Sequence, residues 1–228
     1  MTRRILIIVT SNDRMGETAR PTGLWAEELA APYFAFVDAG HEVEIASPKG
    51  GAAPIDPGSL KPRGENDAVV ERFLADETVQ RKVKATRRVS ELDASGFDAV
   101  FFPGGHGTMW DLPGDVGVTR AVESAYAAGK VVAAVCHGPA GLVSARRPDG
   151  QPLVAGKRVN AFTDDEERAA GQMDSVPFTL ESRLRELGAH FEKAANWQPF
   201  AVRDGQLITG QNPQSSAEVA RLVLHALQ

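Results

Sequence analysis

One short passage restricts the fold of this chain more than any other. Val131-Val132-Ala133-Ala134-Val135 is an unbroken apolar run, and it stops at Cys136-His137-Gly138-Pro139, before Ala140-Gly141-Leu142. A strand that is apolar at every position is buried on both faces, the condition of a strand inside a parallel sheet covered by helices. Glycine and proline directly after it read as a tight turn, and the residues beyond can open a helix. The segment therefore predicts strand, turn and helix, with the chain's one cysteine lifted off the end of a buried strand. A helix N-terminus carries partial positive charge, so a thiol placed there is expected to ionise more easily and to act as a nucleophile. The competing reading of a lone cysteine is a small buried hydrophobe; the strand-turn-helix order argues against it.

The same grammar recurs along the chain. Residues 4–10 read as a strand, 24–39 as a helix ending near Gly40, 42–46 as a second strand and 97–102 as a third. A helix over 117–128 stops at Gly129 and is followed by the strand over 130–135 that leads to Cys136. Strands alternating with helices imply an α/β fold with a mostly parallel sheet and helices on both faces. Further on, 157–162 reads as a strand and 177–187 as a helix. Phe200-Ala201-Val202 and Gln206-Leu207-Ile208-Thr209 flank Arg203-Asp204-Gly205, a hairpin turn signal. Ser215 or Ser216 is placed to cap a last helix running to about Ala226. Between the second and third strands, 68–92 is charged and helix-prone. It reads either as a solvated helix face or as part of an insertion, about 62–95, capping the carboxyl ends of the strands, where open α/β sheets place their sites.

Composition bounds the function. The chain has 228 residues, 43% of them hydrophobic, which suits one domain with a substantial core. A net charge of -5 argues against nucleic acid as a partner. One cysteine makes no internal disulfide, which fits a reducing cytoplasm. No apolar run approaches the length that spans a bilayer.

Several groups that can do chemistry fall at strand ends. Pro103-Gly104-Gly105-His106-Gly107 follows the third strand, and its glycines let successive N–H groups approach an oxyanion. Glu27 and Glu28 open the first helix, and only one can face inward; a buried carboxyl beside a thiol is suited to proton transfer near neutral pH. Phe162-Thr163-Asp164-Asp165-Glu166-Glu167 is either an acidic, solvated loop or the source of a carboxylate that orients His137. His190-Phe191-Glu192 has the form of a His-x-Glu catalytic pair but reads as a helix end turning into an edge strand, whereas His137 already sits beside Cys136. His41, His106, His190 and His225 lack partners at ligand spacing, so the sequence predicts no metal site.

These motifs resemble the ThiJ/PfpI superfamily, relatives of the class I glutamine amidotransferases. Ala134-Val135-Cys136-His137-Gly138-Pro139 resembles its nucleophile elbow. The stretch from Thr22-Gly23 through Glu28 to Pro32-Tyr33 resembles its first-helix motif. Ser47-Pro48-Lys49-Gly50-Gly51 and the glycine loop through Asp111 are similar as well. Val176-Pro177-Phe178 and Thr209-Gly210-Gln211-Asn212-Pro213 resemble the branch of glutathione-independent glyoxalases and heat-shock chaperone-like proteins. The resemblance implies a flavodoxin-like, doubly wound sheet and a Cys136 nucleophile with His137 beside it and Glu28 near the thiol. It also implies Glu167 as third triad member, with Glu166 as the alternative, and an oxyanion hole from the N–H groups of Gly105 and His137. The implied activity is conversion of methylglyoxal or a related 2-oxoaldehyde to a 2-hydroxy acid without cofactor, by a cytoplasmic homodimer with a small aldehyde as its substrate and no nucleic-acid or membrane partner. A holdase chaperone and a cysteine hydrolase with the same triad are the other functions it implies.

Overall fold

The computed structural model describes residues 1–18 and 20–228. Nine strands are present among them: β1 (Arg4–Ile8), β2 (Glu42–Ser47), β3 (Arg87–Arg88), β4 (Ala99–Phe102), β5 (Val131–Val135), β6 (Arg158–Val159), β7 (His190–Phe191), β8 (Ala201–Asp204) and β9 (Leu207–Gly210). The helices are α1 (Ala26–Asp38), α2 (Ala68–Ala75), α3 (Glu77–Lys84), α4 (Thr108–Asp111), α5 (Val116–Ala127), α6 (Asp164–Ala169), α7 (Leu180–Glu186) and α8 (Ser216–Ala226). Seven strands form one sheet in the order β3-β2-β1-β4-β5-β9-β8, parallel except for the β8–β9 hairpin. This is the doubly wound, flavodoxin-like arrangement.

The strands are apolar throughout because both faces are covered. Leu6, Ile8, Val100, Phe102, Val132 and Ala134 pack toward one core, together with Val118, Ala121, Val122 and Ala125 of α5 and Leu180 and Leu184 of α7. The alternate residues Ile5, Ile7, Val9, Phe101, Ala133 and Val135 pack toward the other, under Leu29 and Phe36 of α1 and Val219 and Val223 of α8. The strand period of two thus sends each run into two cores at once. Strand order reverses between β1 and β4, the point at whose carboxyl ends open α/β sheets place their sites.

Four local expectations are corrected. The turn after Cys136 is continued not by an α-helix but by a 3-10 segment, Gly138–Leu142. Of the strand expected over 157–162 only Arg158–Val159 pairs, and it does so with β7 in a separate two-stranded ladder; residues beyond Val159 turn away to bond β5 and β9 at Phe162 and Asn160. Ser215 occupies the cap position of α8, but its hydroxyl gives no cap bond; it donates to Asn212 Oδ1 at 2.8 Å instead. The charged stretch forms α2 and α3, which pack against α1 and β2 through Phe73, Val79 and Val83 and so cover the flank of the sheet rather than its carboxyl ends. Only its leading edge reaches the rim, where Lys61, Asn66 and Asp67 line a cavity of about 360 Å³ with Trp25, Glu27 and Trp197. No helix among the described residues is long and apolar enough to cross a membrane.

Candidate active site

Cys136 ends β5 with φ at +58°, a left-handed conformation that is rare for a residue with a side chain. Its neighbours enforce it. The Cys136 N–H donates to Gly210 O and its carbonyl accepts from Phe162 N, both at 2.9 Å. The next turn passes so close to β4 that a Cβ on Gly138 would lie 2.2 Å from Phe102 O. The strained turn holds the thiol at the carboxyl end of the strand, where it is 3% exposed.

Three other elements close on the sulfur. His137 Nδ1 lies 3.3 Å from Cys136 Sγ. The other ring nitrogen, Nε2, is 2.8 Å from Glu167 Oε2. Glu28 enters from the first turn of α1; its Oε2 accepts the Gly104 N–H at 2.7 Å, and its charge is felt by the thiol. Glu28 Oε1 has no partner among the described residues. Glu28 is fully buried, as are His137 at 1% exposure and Glu167 at 2%. The Gly105 N–H gives no hydrogen bond among the described residues.

Glu166 and Glu167 are adjacent but do different things. Thr163 caps α6, its hydroxyl accepting from the Glu166 N–H at 3.0 Å, and Glu166 Oε2 accepts in return from the Thr163 N–H at 3.1 Å. Glu166 Oε1 accepts from Trp197 N, Gln211 Nε2 and Asn212 Nδ2 at 2.8, 3.0 and 2.9 Å. Glu166 is thus spent on the cap through one oxygen and on the loops at Trp197 and at Gln211-Asn212 through the other. Glu167 lies about 100° further round the helix and faces the histidines.

The electrostatics reverse one expectation. Burial, and next the charge of Glu28, push the Cys136 thiol well above its ordinary value, so the thiol is not a ready thiolate. The helix-terminus argument fails because a short 3-10 segment gives little dipole and full burial opposes charge. Burial and then the charge of Glu27 raise Glu28 well above the carboxylate range. Burial, and then His106, lower His137 and keep its imidazole neutral. Burial alone would raise Glu167, but His137 and His106 together hold it far below the ordinary range. Glu167 is thus the anion of the site. It takes the His137 Nε2–H, which leaves the Nδ1 lone pair turned to the sulfur.

With this geometry established, relatives can be compared. The DJ-1/PfpI family pattern matches residues 22–226. The chain belongs to the DJ-1/PfpI family. It is 30% identical over 237 residues to glyoxalase 3 of Candida albicans, covering 100% of this chain and 99% of that protein. The crystal structure of glyoxalase III from Candida albicans superposes with a TM-score of 0.89 at 30% identity over 99% of this chain and 98% of that one. The Rapid Encystment Protein 24 kDa of Francisella tularensis superposes with a TM-score of 0.94 at 36% identity, covering 100% of both chains.

Within this DJ-1/PfpI fold one site group escaped the sequence reading. His106, expected to lack partners, places Nε2 2.7 Å from Glu167 Oε1 and its ring centroid 4.1 Å from that of His137. The two residues it meets are 31 and 61 positions away, so no ligand or triad spacing could have announced them. Donor atoms of His106, His137 and Glu167 lie within 4.8 Å of one another, a grouping that the sequence did not predict. Both nitrogen–oxygen separations are hydrogen-bond lengths, which puts protons where a cation would need lone pairs. His190 is exposed, and Glu192 pairs with Arg158 at 2.6 Å, so the His-x-Glu pair lies on the surface away from the thiol.

Proposed function

We propose that the protein is a glutathione-independent glyoxalase that converts methylglyoxal or a related 2-oxoaldehyde to the 2-hydroxy acid, in the manner of a lyase that yields lactate. The names of its full-length relatives support an enzyme of this kind. The observation that carries the reading is the convergence on one thiol of a neutral imidazole backed by an anion and a buried, protonated carboxyl.

The protonation states assign the steps. As the sulfur of Cys136 adds to the aldehyde carbon, the thiol proton passes to His137 Nδ1. The imidazolium is stabilised by Glu167, so the thiol needs no low resting pKa. The new alkoxide lies toward the Gly105 and His137 N–H groups and takes the proton back from His137, giving a hemithioacetal. Neutral His137 then removes hydrogen from the former aldehyde carbon while Glu28 protonates the neighbouring ketone oxygen, forming an enediol. His137 returns its proton to the second carbon, and Glu28 recovers one from the first hydroxyl. The result is a 2-hydroxy thioester, which water cleaves to the acid and free thiol. The aldehyde carbon is oxidised and the ketone carbon reduced by the same amount, so no external oxidant or reductant is needed; two hydrogens move and one water is added.

The test is conversion of methylglyoxal to lactate by pure protein, with Cys136→Ser as control. Turnover that is lost in the variant while its thermal melt is unchanged supports the reading. A wild type that makes no lactate but cleaves amide or ester substrates assigns the hydrolase instead. Suppression of client aggregation that survives Cys136→Ser, with no aldehyde turnover, assigns the holdase.

A further inference from the structure

The reaction steps leave His106 without a part, yet it is bound into the centre of the site. We propose that His106 is a positioning residue: its Nε2–H pins the Glu167 carboxylate, and Glu167 so pinned holds His137 with its Nδ1 lone pair on Cys136. The proposal rests on the glyoxalase reading for turnover, but thiol reactivity tests it without any substrate.

Three observations carry it. First, the two oxygens of Glu167 are divided between the two imidazoles, Oε1 to His106 at 2.7 Å and Oε2 to His137 at 2.8 Å. Bonds of a carboxylate to two N–H donors are charge-assisted and fix its rotation as well as its charge. Glu167 is 2% exposed, so solvent cannot replace a lost donor. Without the His106 N–H, Oε1 becomes a buried, unpartnered acceptor, and the carboxylate gains by rotating or by taking up a proton. Either change weakens the bond that sets the tautomer of His137. Second, His106 and Phe162 flank the His137 ring, with centroids at 4.1 and 4.4 Å, so the ring that receives the thiol proton is held by packing as well. Third, His106 directly follows Gly105. One side chain therefore ties the loop bearing the open N–H donor to the helix bearing Glu167, across 61 residues of sequence. The remaining ionisable groups around His137 are already committed. Glu28 is taken by the Gly104 N–H, and Glu166 is spent on Trp197, Gln211 and Asn212.

The donor can be separated from the ring. His106→Phe keeps a flat ring against His137 but has no N–H. His106→Gln places an amide nitrogen at about the reach of Nε2 and restores the donor. Two rates are measured on each at pH 8: alkylation of Cys136 by iodoacetamide, and steady-state turnover of methylglyoxal. His106→Phe is expected to slow alkylation about tenfold and to lower kcat by about tenfold or more, the scale of one hydrogen bond to a charged group, with KM within about threefold. His106→Gln is expected to stay within about threefold of wild type in both. The ¹⁵N signals of the wild-type imidazoles give a reading that needs no folded variant: both His106 and His137 should carry the proton on Nε2. Alkylation and kcat unchanged in His106→Phe overturn the proposal. So does equal damage in His106→Gln, which would make the ring and not its donor the important part, or a proton on His106 Nδ1. If wild type makes no lactate while the alkylation pattern holds, the positioning role stands and the glyoxalase reading falls.

Discussion

Glu27 precedes Glu28 in the chain but answers to a different environment, and replacing it with glutamine makes a sharp test of how this rim is protonated. Burial first, and then the charge of Asp67, push Glu27 from 4.5 up to about 7, against the opposing contact with Ser216. Ser216 Oγ lies 2.9 Å from Glu27 Oε2 and 2.7 Å from Pro213 O. A hydroxyl has one proton and a carbonyl can only accept. The single Ser216 proton is therefore shared between the carboxylate and the carbonyl, unless Glu27 is protonated and can donate in its turn. Above the pKa of Glu27, carboxylate and carbonyl compete for a single proton. Glutamine copies the protonated form, because its amide N–H donates where the carboxyl O–H did. The raised pKa means that between pH 4.5 and 7 the folded protein binds more protons here than the unfolded chain. The stability from this group is therefore complete below about pH 4.5 and is lost as pH rises through about 7. At about 1.4 kcal/mol per unit the loss is about 3.5 kcal/mol, trimmed to about 2–3 kcal/mol by the partial exposure of the side chain. Glu27→Gln should thus match wild type at pH 4.5, within about 0.5 kcal/mol, and be more stable by about 2–3 kcal/mol near pH 8. Urea unfolding of both proteins across that range gives the difference directly. Asp111, pushed up to about 6 by burial, acts equally in both proteins and cancels. A stability difference that does not change with pH, or a variant less stable near pH 8, would refute the reasoning.

Glu28→Gln should leave the thermal melt near wild type, since an amide oxygen can still accept the Gly104 N–H, but lower methylglyoxal turnover by about two or more powers of ten, the scale of a general acid–base group. Glu27→Gln in the same assay should stay within about threefold, the contrast expected of side chains about 100° apart on one helix. Cys136 in wild type should be alkylated slowly at neutral pH and faster as pH rises, because burial first of all holds the thiol above its ordinary value. Fast alkylation that does not change with pH would mean a resident thiolate and refute that reading. Gly104→Ala should destabilise the fold and abolish turnover, because a Cβ there would lie 2.6 Å from His137 N, 2.7 Å from Glu28 Oε2 and 2.9 Å from Val135 O. A well-folded, active alanine variant would show that this loop yields more than the packing suggests.

The strands were legible in the sequence because burial on both faces leaves a one-dimensional mark. Ile5 to Val9 and Val131 to Val135 are apolar at every position, and no other environment in an α/β protein asks for that. The end of such a strand is equally plain, so Cys136 and the glycine loop could be placed on one edge of the sheet before any coordinate was known. Marginal elements were less legible. β3 and β6 have two residues each, and segments that short carry no period to read.

What the sequence determined by itself was therefore the sheet, its two-sided core and the edge on which chemistry-bearing residues gather. The tertiary structure alone decided how those residues are charged and which of them meet. Glu166 and Glu167 are the same residue type at neighbouring positions, and only the docking of α6 through the Thr163 cap turns one toward the loops and the other toward His137. His106 finds Glu167 across 61 residues, a contact created by folding and invisible to spacing. The thiol that local sequence made acidic is made reluctant by its surroundings. A helix end acts over a single turn, whereas desolvation and the charge of Glu28 depend on every element that closes over the thiol.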